Sequence, residues 1–568
     1  MRKLLRSTDV WCTVLAMFLQ GIYVVMQYFV GKGHVYGWVE DGMRAALVAL
    51  VVAYVPMRRL AARGQWGRTL GLALLAALSA TRYNQVRYAP EGAAAVALLF
   101  ARDAVFYTLV ARGLVLFAGA YRQRLRERPR VSPADSLFRL APFVGIASLT
   151  AVGLGCQWAL NWPFRPTDDF WNQWGQIMTG SYNDIHALGH TIFLKALFRL
   201  YPNGGVAVLV HILMISGLYG LFAQHLCARG VPYKALMTVT AAVLCLLPAS
   251  FLMYPWKDAP FAFVTGIVTY FILRTREEGY RLTWPHALGL GVCLGWMVLF
   301  RLNGVVPALA SAAYFLHWAR GRGMLRRVAA AALTALVCVG GVNAYGYRVL
   351  GAASPPNGYA LQVFGSGVAA VVAREGNITP EQMARIEAAL PVDFMREAYT
   401  PWDGTKLVWD EDYYVANAFP QHLAAHGGEV VRLYFELLPR NLGICALDMV
   451  YNTFEIWSVF YLFSNGTLLL LLGAALLGTR GARRGRVPGR WVLLIPIVAS
   501  ALSVGMTTIT NEVRYFLATY ILFVPILMYY LCVEEAGVAP YGGVRGTGKP
   551  VPYGGGRGTG KPVPYESH

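Results

Sequence analysis

Apolar blocks of about the length that crosses a bilayer recur from one end of the chain to the other, and they limit its fold more than any other feature. A helix needs about 20 predominantly apolar residues to span the hydrocarbon core. Hydrophobic residues make up 56% of the 568-residue chain and charged residues only 14%, unlike the mixed, charged surface of a soluble protein. We therefore predict an all-α polytopic membrane protein with a bundle of about 14 transmembrane helices. They are placed at residues 11–30, 42–56, 69–81, 92–120, 139–161, 204–226, 235–254, 259–274, 285–301, 304–319, 328–349, 456–478, 491–508 and 515–533.

Lys and Arg residues concentrate in alternate loops between the predicted spans. The net charge of the chain is +20, and in membrane proteins an excess of positive residues marks the cytoplasmic loops. This explains the charge without a nucleic-acid partner. The basic loops share one side with both chain ends, so we expect a multi-pass cell-membrane protein whose N- and C-termini are cytoplasmic. These loops occupy residues 58–68, 122–130, 229–234, 274–281, 320–327 and 480–490.

The loops on the opposite, outer side are long. Residues 161–203 and 350–455 exceed the usual length of a connection, and such segments are typically functional or form a small domain. We divide the chain into an additional N-terminal transmembrane module, a core with a catalytic outer loop, a small, mostly helical outer domain, C-terminal transmembrane helices and a tail. Their bounds are 1–130, 131–349 with the loop at 161–203, 350–455, 456–535 and 536–568.

The outer domain contains helix signals of its own. Thr379 is followed directly by Pro380 and, three residues on, by Gln382, a pattern typical of a helix N-terminus. We predict a short helix from this point to Leu390. The other elements predicted here are helices at residues 412–426 and 428–438 and a turn at residues 355–358.

The C-terminal tail contains the clearest internal repeat. Residues 541–552 read YGGVRGTGKPVP and residues 553–564 read YGGGRGTGKPVP. A segment of Gly, Pro and basic residues buries too little apolar surface to fold, so we expect a disordered cytoplasmic tail. Contact of its Lys and Arg side chains with anionic membrane lipids is the alternative.

Two adjacent carboxylates lie near the start of the first long outer loop. Asp168 and Asp169 precede aromatic and aliphatic residues spaced as on one face of a helix, and the two tryptophans among them suit the membrane interface. Acidic residues at a helix N-terminus are favoured by the helix dipole, so ordinary capping is one interpretation. A catalytic carboxylate is the other.

His186 and His190 follow in the same loop, four residues apart, which predicts that they share one face of a helix. Such a pair can ligate a metal ion, but two ligands do not complete a site. Asp168, Asp169 or Asp184 would have to supply a third. Hydrogen bonding to a substrate is the interpretation we favour, and a divalent metal ion is the one cofactor left open.

Polar side chains also lie at the outer ends of three predicted spans. A charge so close to hydrocarbon is costly unless it is paired or hydrated. Each basic residue alone could extend to the interface, but several on one side suit a phosphate, and nearby carboxylates suit a general base. The sequence therefore indicates a phosphate-bearing substrate at the outer face. These residues are Lys257, Asp258, Arg301, Asn303, Glu512 and Arg514.

In their order along the chain, these motifs resemble those of the GT-C superfamily of integral membrane glycosyltransferases. The resemblance is greatest to bacterial members related to the dolichyl-phosphate-mannose protein mannosyltransferase and glycosyltransferase 39 type. Those proteins carry an acidic pair in the first long outer loop, where this chain has Asp168-Asp169. The other matching motifs lie at residues 182–191, 256–258, 301–304 and 512–515, within a resemblance that covers residues 139–533.

The chain departs from the pattern of that family in three places. His186 is followed by Ala187 where the family usually has Pro, which leaves the start of the local helix in doubt. The second acid is Asp169 instead of Glu. The first four predicted spans have no counterpart in the minimal family core, so we interpret them as an added module.

The resemblance implies an inverting transfer of a sugar from a polyprenyl-phosphate-linked donor to a glycan, lipid or protein acceptor of the cell envelope. Asp168 would be the base that deprotonates the acceptor hydroxyl. Lys257, Arg301 and Arg514 would bind the lipid phosphate. The other expected site residues are Asp169 as the second acid of the catalytic pair and His186, His190, Asp258, Asn303 and Glu512 as substrate-binding residues.

Other classes of membrane protein fit the sequence less well. A lipid or polysaccharide flippase, or another transporter, is expected to have charges near the middle of its spans or paired broken helices in two halves, whereas the charges here lie at span ends. An assembly protein without chemistry would not need its acidic and basic residues on the same side. A protein of the O-antigen ligase or polymerase type remains an alternative close to the glycosyltransferase interpretation.

The predicted orientation determines which positions a membrane-impermeant reagent can reach. Single cysteines introduced at Asp168, at Asn303 and within residues 350–455 of a cysteine-free variant should be labelled in intact cells. A cysteine at Arg484, in a basic loop, should be labelled only after lysis. Protection of residues 350–455 in intact cells would contradict this topology.

Overall fold

The computed structural model describes residues 140–229, 249–277, 280–354, 361–399, 418–446, 465–478, 490–507 and 513–532, with scattered positions at 66–116, at 231–240 and at 407. Its α-helices in the continuous ranges are α1 (Leu140–Leu160), α2 (Asp168–Thr179), α3 (Leu188–Phe198), α4 (Gly204–Ala228), α5 (Asp258–Arg274), α6 (Trp284–Phe300), α7 (Val305–Ala319), α8 (Leu325–Ala344), α9 (Gln362–Ala373), α10 (Pro380–Ala389), α11 (Val392–Ala398), α12 (Ala418–Leu437), α13 (Asn465–Gly478), α14 (Ile495–Thr507) and α15 (Leu517–Cys532).

The predicted all-helical fold is confirmed for the described residues, which contain no β-strand. The predicted spans at 139–161, 204–226, 259–274, 285–301 and 304–319 match α1, α4, α5, α6 and α7 to within a few residues. The total of about 14 spans stays a prediction. The calls that lie outside the described residues are the spans at 11–30 and 42–56, most of the N-terminal module, the turn at 355–358 and the tail at 536–568.

Four of the described helical stretches are long and apolar enough to cross a membrane: Leu140–Leu160, Gly204–Ala228, Leu325–Val349 and Arg514–Cys532. Two of them present apolar side chains that the rest of the protein does not cover. Val152 on α1 is 65% exposed, and Leu336 on α8 is 70% exposed. Apolar helix faces of this kind are typical of helices that face lipid.

The long helices pack around a shared apolar core. α4 packs along α1, α6 packs along α8, and α5 contacts α4, α6 and α15. Leu218, Val268, Leu290 and Tyr520 are among the fully buried core residues. Small residues set the closest approach between α6 and α8, because a Cβ atom on Gly291 would lie only 2.6 Å from the Cβ atom of Thr334.

Residues 361–399 and 418–446 form helices around a second apolar core. Thr379 caps α10 with a capping box, in which the Gln382 side chain accepts a hydrogen bond from the Thr379 backbone. This confirms the helix predicted from Thr379 towards Leu390. Val371, Ile386 and Leu433 are buried in the shared core of α9, α10, α11 and α12.

The helix predictions for the rest of this segment were partly wrong. The two helices predicted on either side of residue 427 form one continuous α12 with a kink at His426, whose φ of −116° and ψ of 21° are not helical. The kink precedes Gly427, whose missing side chain leaves room for Leu361. α9 and α11 were not predicted, because neither begins with a capping pattern of the kind seen at Thr379.

Two glycines on α6 should respond differently to replacement by alanine. Gly291→Ala forces a methyl group into the carbonyl of Ala331 and should destabilise the bundle by about 1–3 kcal/mol, the usual cost of overpacking. Gly289→Ala is the matched control, because nothing lies within 4 Å of its added methyl group. Thermal unfolding in detergent should separate the two variants, and equal melting temperatures would contradict the close packing of α6 on α8.

Candidate active site

The position of the acidic pair is set by how α2 begins and ends. Thr167 is the N-cap residue, and its hydroxyl accepts a hydrogen bond from the Phe170 backbone N–H at 3.3 Å. Gly180 ends the helix with a φ of +73°, a conformation that favours glycine. The helix predicted at this position is therefore confirmed. Asp168 and Asp169 form the first turn.

Only part of the apolar face predicted for α2 packs against the rest of the protein. Phe170 is fully buried and packs with Trp174 against Phe198 of α3. Trp171 and Met178 are 52% and 50% exposed. Phe170 and Trp174 therefore anchor α2 against α3. The carboxylates of Asp168 and Asp169 point about 100° apart on this helix, so they have different environments.

Three chain segments meet at the carboxylate of Asp169. The Lys257 ammonium lies 3.4 Å from its Oδ2 atom, and Nη1 of Arg514 lies 3.3 Å from the same oxygen. All three side chains are mostly buried, with 25%, 19% and 13% of Asp169, Lys257 and Arg514 exposed. Asp168, in contrast, is exposed and makes no ion pair with another described residue.

This arrangement determines the protonation states in the site. Burial alone would raise the pKa of the Asp169 carboxyl, but the charges of Lys257 and Arg514 outweigh it and hold that pKa well below its usual range. Burial, assisted by the charge of Lys257, lowers the pKa of His186 to about 4. Asp169 is therefore an anion and His186 is neutral at pH 7.

Two aromatic rings contact the guanidinium group of Arg514. It lies 4.4 Å from the ring centre of Trp256 and 5.1 Å from that of Tyr515. Trp256 in turn donates a hydrogen bond from Nε1 to the Thr167 hydroxyl at 2.8 Å and stacks on Tyr254 with ring centres 4.3 Å apart. The residue that caps α2 therefore also holds the ring beneath Arg514.

A second ion pair lies next to the first. Nη1 of Arg301 donates to Oδ1 of the buried Asp258, and Nε of Arg301 donates to the Asn303 side chain at 3.1 Å. The Arg301 guanidinium also lies 4.7 Å from the ring centre of Tyr515. Tyr515 therefore contacts both Arg301 and Arg514. The tight turn after Arg301 needs Gly304, since a Cβ atom there would collide with the carbonyl of Met297.

The two histidines occupy different environments, and the prediction that they share a helical face was wrong. α3 begins at Leu188, so His186 precedes the helix and only His190 belongs to it. The charge of Asp169 raises the pKa of His186, but burial and the charge of Lys257 lower it more. His190 is fully buried, and its Nδ1 lies 3.0 Å from Oε1 of Gln173. Among the described residues no group of three or more His, Cys, Asp or Glu side chains could hold a metal ion.

The helix start is delayed because residues 182–186 make a different set of bonds. Asn183 forms a bridge with Ala353, and the Asp184 backbone N–H donates to the Ala353 carbonyl at 3.1 Å. The Asp184 carboxylate accepts hydrogen bonds from Tyr347 at 2.8 Å and from Ser354 at 2.7 Å. These contacts attach the loop that carries His186 to the chain that leads into the outer segment.

The structure brings five of the ten predicted site residues into two ion-paired groups, Asp169 with Lys257 and Arg514, and Asp258 with Arg301. Tyr515 contacts both groups. Glu512 lies outside the described residues. Thr167, Gln173, Trp256 and Tyr515 were not among the predicted site residues. The sequence pointed to two of these four residues, because Trp256 directly precedes Lys257 and Tyr515 directly follows Arg514. Comparison of the chain with protein-family models, with curated proteins and with solved structures gave no match.

The buried pair of Asp258 and Arg301 should behave as a unit. Asp258→Ala leaves a guanidinium that is 6% exposed without its carboxylate and should cost about 3–5 kcal/mol of folding stability. The double variant Asp258→Ala with Arg301→Ala should lose less than the sum of the two single variants, because no charge remains buried alone. Denaturant unfolding of all four proteins measures this coupling, and additive losses would show that the pair contributes nothing.

Proposed function

We propose that the protein is a membrane glycosyltransferase that moves a sugar from a polyprenyl-phosphate-linked donor to a cell-envelope acceptor at the outer face of the membrane. The observation that carries this proposal is the convergence of Lys257 and Arg514 on Asp169, one residue from the exposed Asp168. Transfer of a sugar from a phosphate needs cations for the leaving phosphate and a carboxylate base for the acceptor. This site has both, since two cations contact Asp169 and Asp168 is the preceding residue of the same helix.

Lys257 and Arg514 are the proposed ligands of the donor phosphate. Both contact Asp169 in the partly exposed cluster, where their positive charges suit a phosphate. The planar guanidinium of Arg514 suits a phosphate, and its position between Trp256 and Tyr515 fixes its orientation before the donor binds. Arg301 has a supporting role, because Asp258 already balances its charge and its guanidinium packs on Tyr515.

Asp168 is the proposed base, and Asp169 organises the cations. A carboxylate that is paired with two cations binds a proton weakly and is therefore a poor base. Asp168 is exposed to an incoming acceptor and has no cation within ion-pair distance among the described residues. In the proposed step the acceptor oxygen bonds to the sugar carbon, the bond from that carbon to the phosphate oxygen breaks, and the acceptor proton passes to Asp168.

The finer architecture that we propose is a GT-C-like bundle of about 14 transmembrane helices with an added module at residues 1–130. The polyprenyl chain of the donor would lie between helices, among membrane lipids. The outer segment at 350–455 would cover the site and select the acceptor. In support of this role, Ala353 and Ser354 at its start bind the loop at Asn183 and Asp184.

Release of polyprenyl phosphate tests the proposal directly. The purified protein would be incubated with a panel of polyprenyl-phosphate-linked sugars and a cell-envelope extract as the source of acceptor. Asp168→Asn keeps the size of the side chain but removes the basic oxygen, so turnover should fall by roughly a hundredfold or more while donor affinity is nearly kept. Asp169→Asn is the matched variant and should cost less.

The comparison of these two variants has three informative outcomes. Near-normal turnover of Asp168→Asn together with an inactive Asp169→Asn would move the base by one residue. Normal turnover of both variants would show that the proposed mechanism is wrong. If the wild-type protein releases no polyprenyl phosphate from any member of the panel, the glycosyltransferase proposal itself fails.

A further inference from the structure

The ion cluster contains a negative charge at the place where a phosphate would bind. Oδ2 of Asp169 takes the contacts of both Lys257 and Arg514, at 3.4 Å and 3.3 Å. Charge-assisted hydrogen bonds between nitrogen and oxygen are usually about 2.7–2.9 Å long. The contacts here are longer, and each of the three side chains is partly exposed. The cluster is therefore loose enough for a phosphate oxygen to approach both cations while Asp169 stays nearby.

The proposed reaction changes the charge of the phosphate that occupies this place. A sugar linked through phosphate to a lipid is a phosphodiester and carries one negative charge. When the bond between the sugar carbon and the phosphate oxygen breaks, its electron pair stays on the phosphate, and the acceptor proton goes to Asp168. The product is a phosphate monoester, which carries close to two negative charges above its second pKa of about 6. Donor and product thus differ by one charge at the point that Asp169 faces.

We infer that Asp169 is a specificity-determining residue that weakens the binding of the dianionic lipid phosphate product relative to the monoanionic donor. The inference rests on the proposed function and extends it to product release. A fixed negative charge repels a dianion about twice as strongly as a monoanion at the same distance, because the Coulomb energy is proportional to the charge. Lys257 and Arg514 attract both ligands, and Asp169 reduces that attraction more for the product.

The other charged and titratable groups near Asp169 do not reproduce this effect. His186 faces the same cluster but is neutral above about pH 5, since its pKa is lowered to about 4. His190 is fully buried with Nδ1 on Gln173. Arg301 is balanced by Asp258, and the carboxylate of Asp168 is exposed, where solvent and salt screen it. Among the described residues, the carboxylate in contact with the two cations is that of Asp169.

Two short lipid phosphates with the same chain test the inference. Farnesyl phosphate is a monoester and stands in for the product, whereas its methyl diester stands in for the donor. At pH 8, Asp169→Asn should strengthen the binding of farnesyl phosphate roughly tenfold more than that of the methyl diester. At pH 5, where the monoester carries about one charge, the substitution should change the binding of both probes by nearly the same factor. Isothermal titration calorimetry in detergent measures the affinity of wild type and of Asp169→Asn for each probe at each pH.

Asp168→Asn is the matched control, because it removes the same charge one residue away without touching Lys257 or Arg514. It should leave the ratio of the two affinities within about twofold of wild type. The comparison is repeated in a Lys257→Gln background, with and without Asp169→Asn, so that the loss of the Asp169 carboxylate is also measured where one of the two cations in contact with it is absent.

The outcomes separate this inference from the proposed function. Equal changes for both probes at pH 8, or weaker binding of farnesyl phosphate to Asp169→Asn, would overturn the role of Asp169 while leaving the phosphate site intact. If wild-type protein binds neither probe, the phosphate site of the proposed function fails, and the inference fails with it. The inference is supported if the preference for farnesyl phosphate over the methyl diester rises from pH 5 to pH 8 more in Asp169→Asn than in wild type.

Discussion

The contact of one carboxylate with two cations is the interaction on which the rest of the site depends. Asp169 lies 88 residues from Lys257 and 345 residues from Arg514 along the chain. A charged side chain that is mostly buried is costly unless it is paired, so each of these groups constrains the position of the others. The ends of α5 and α15 can meet α2 only if the helices between them have the correct lengths and directions. The electrostatics of the site therefore depend on the packing of the whole bundle.

The sequence predicted the helices better than their ends. Apolar block length located α1, α4, α5, α6 and α7, because a helix that is apolar all round is stable only in a protein core or in a membrane. The capping pattern at Thr379 located α10 for an equally local reason. It could not locate α9, whose burial comes from packing against α12 and α14. His186 was wrongly placed on a helix for a similar reason, since its loop is held by Ala353, a residue far away in the sequence.

For the site, charge and chain order predicted which residues converge but not how they pair. Lys257, Asp258 and Arg301 lie at span ends, and from the sequence each had several possible partners. The structure divides them into one fully buried pair, Asp258 with Arg301, and one partly open cluster around Asp169. The buried pair and the open cluster differ in how much solvent reaches their side chains, and sequence patterns do not show which side chains solvent reaches. It also explains why aromatic residues were overlooked. Tyr515 contacts both Arg301 and Arg514, a role that depends on geometry alone.

The two adjacent acids show how one turn of helix can supply two different carboxylates. Asp169 has a pKa far below that of an ordinary aspartate because two cations face it. A group whose pKa is lowered on folding contributes stability that is complete above its unfolded pKa, about 3.9 for Asp, and is lost only as the pH falls towards the folded value. Across physiological pH, Asp169 is therefore a constant negative charge. A constant charge is suited to holding cations and to discriminating between anions. Proton transfer needs a group that can accept a proton reversibly, and of the two acids only Asp168 lies outside the cationic cluster.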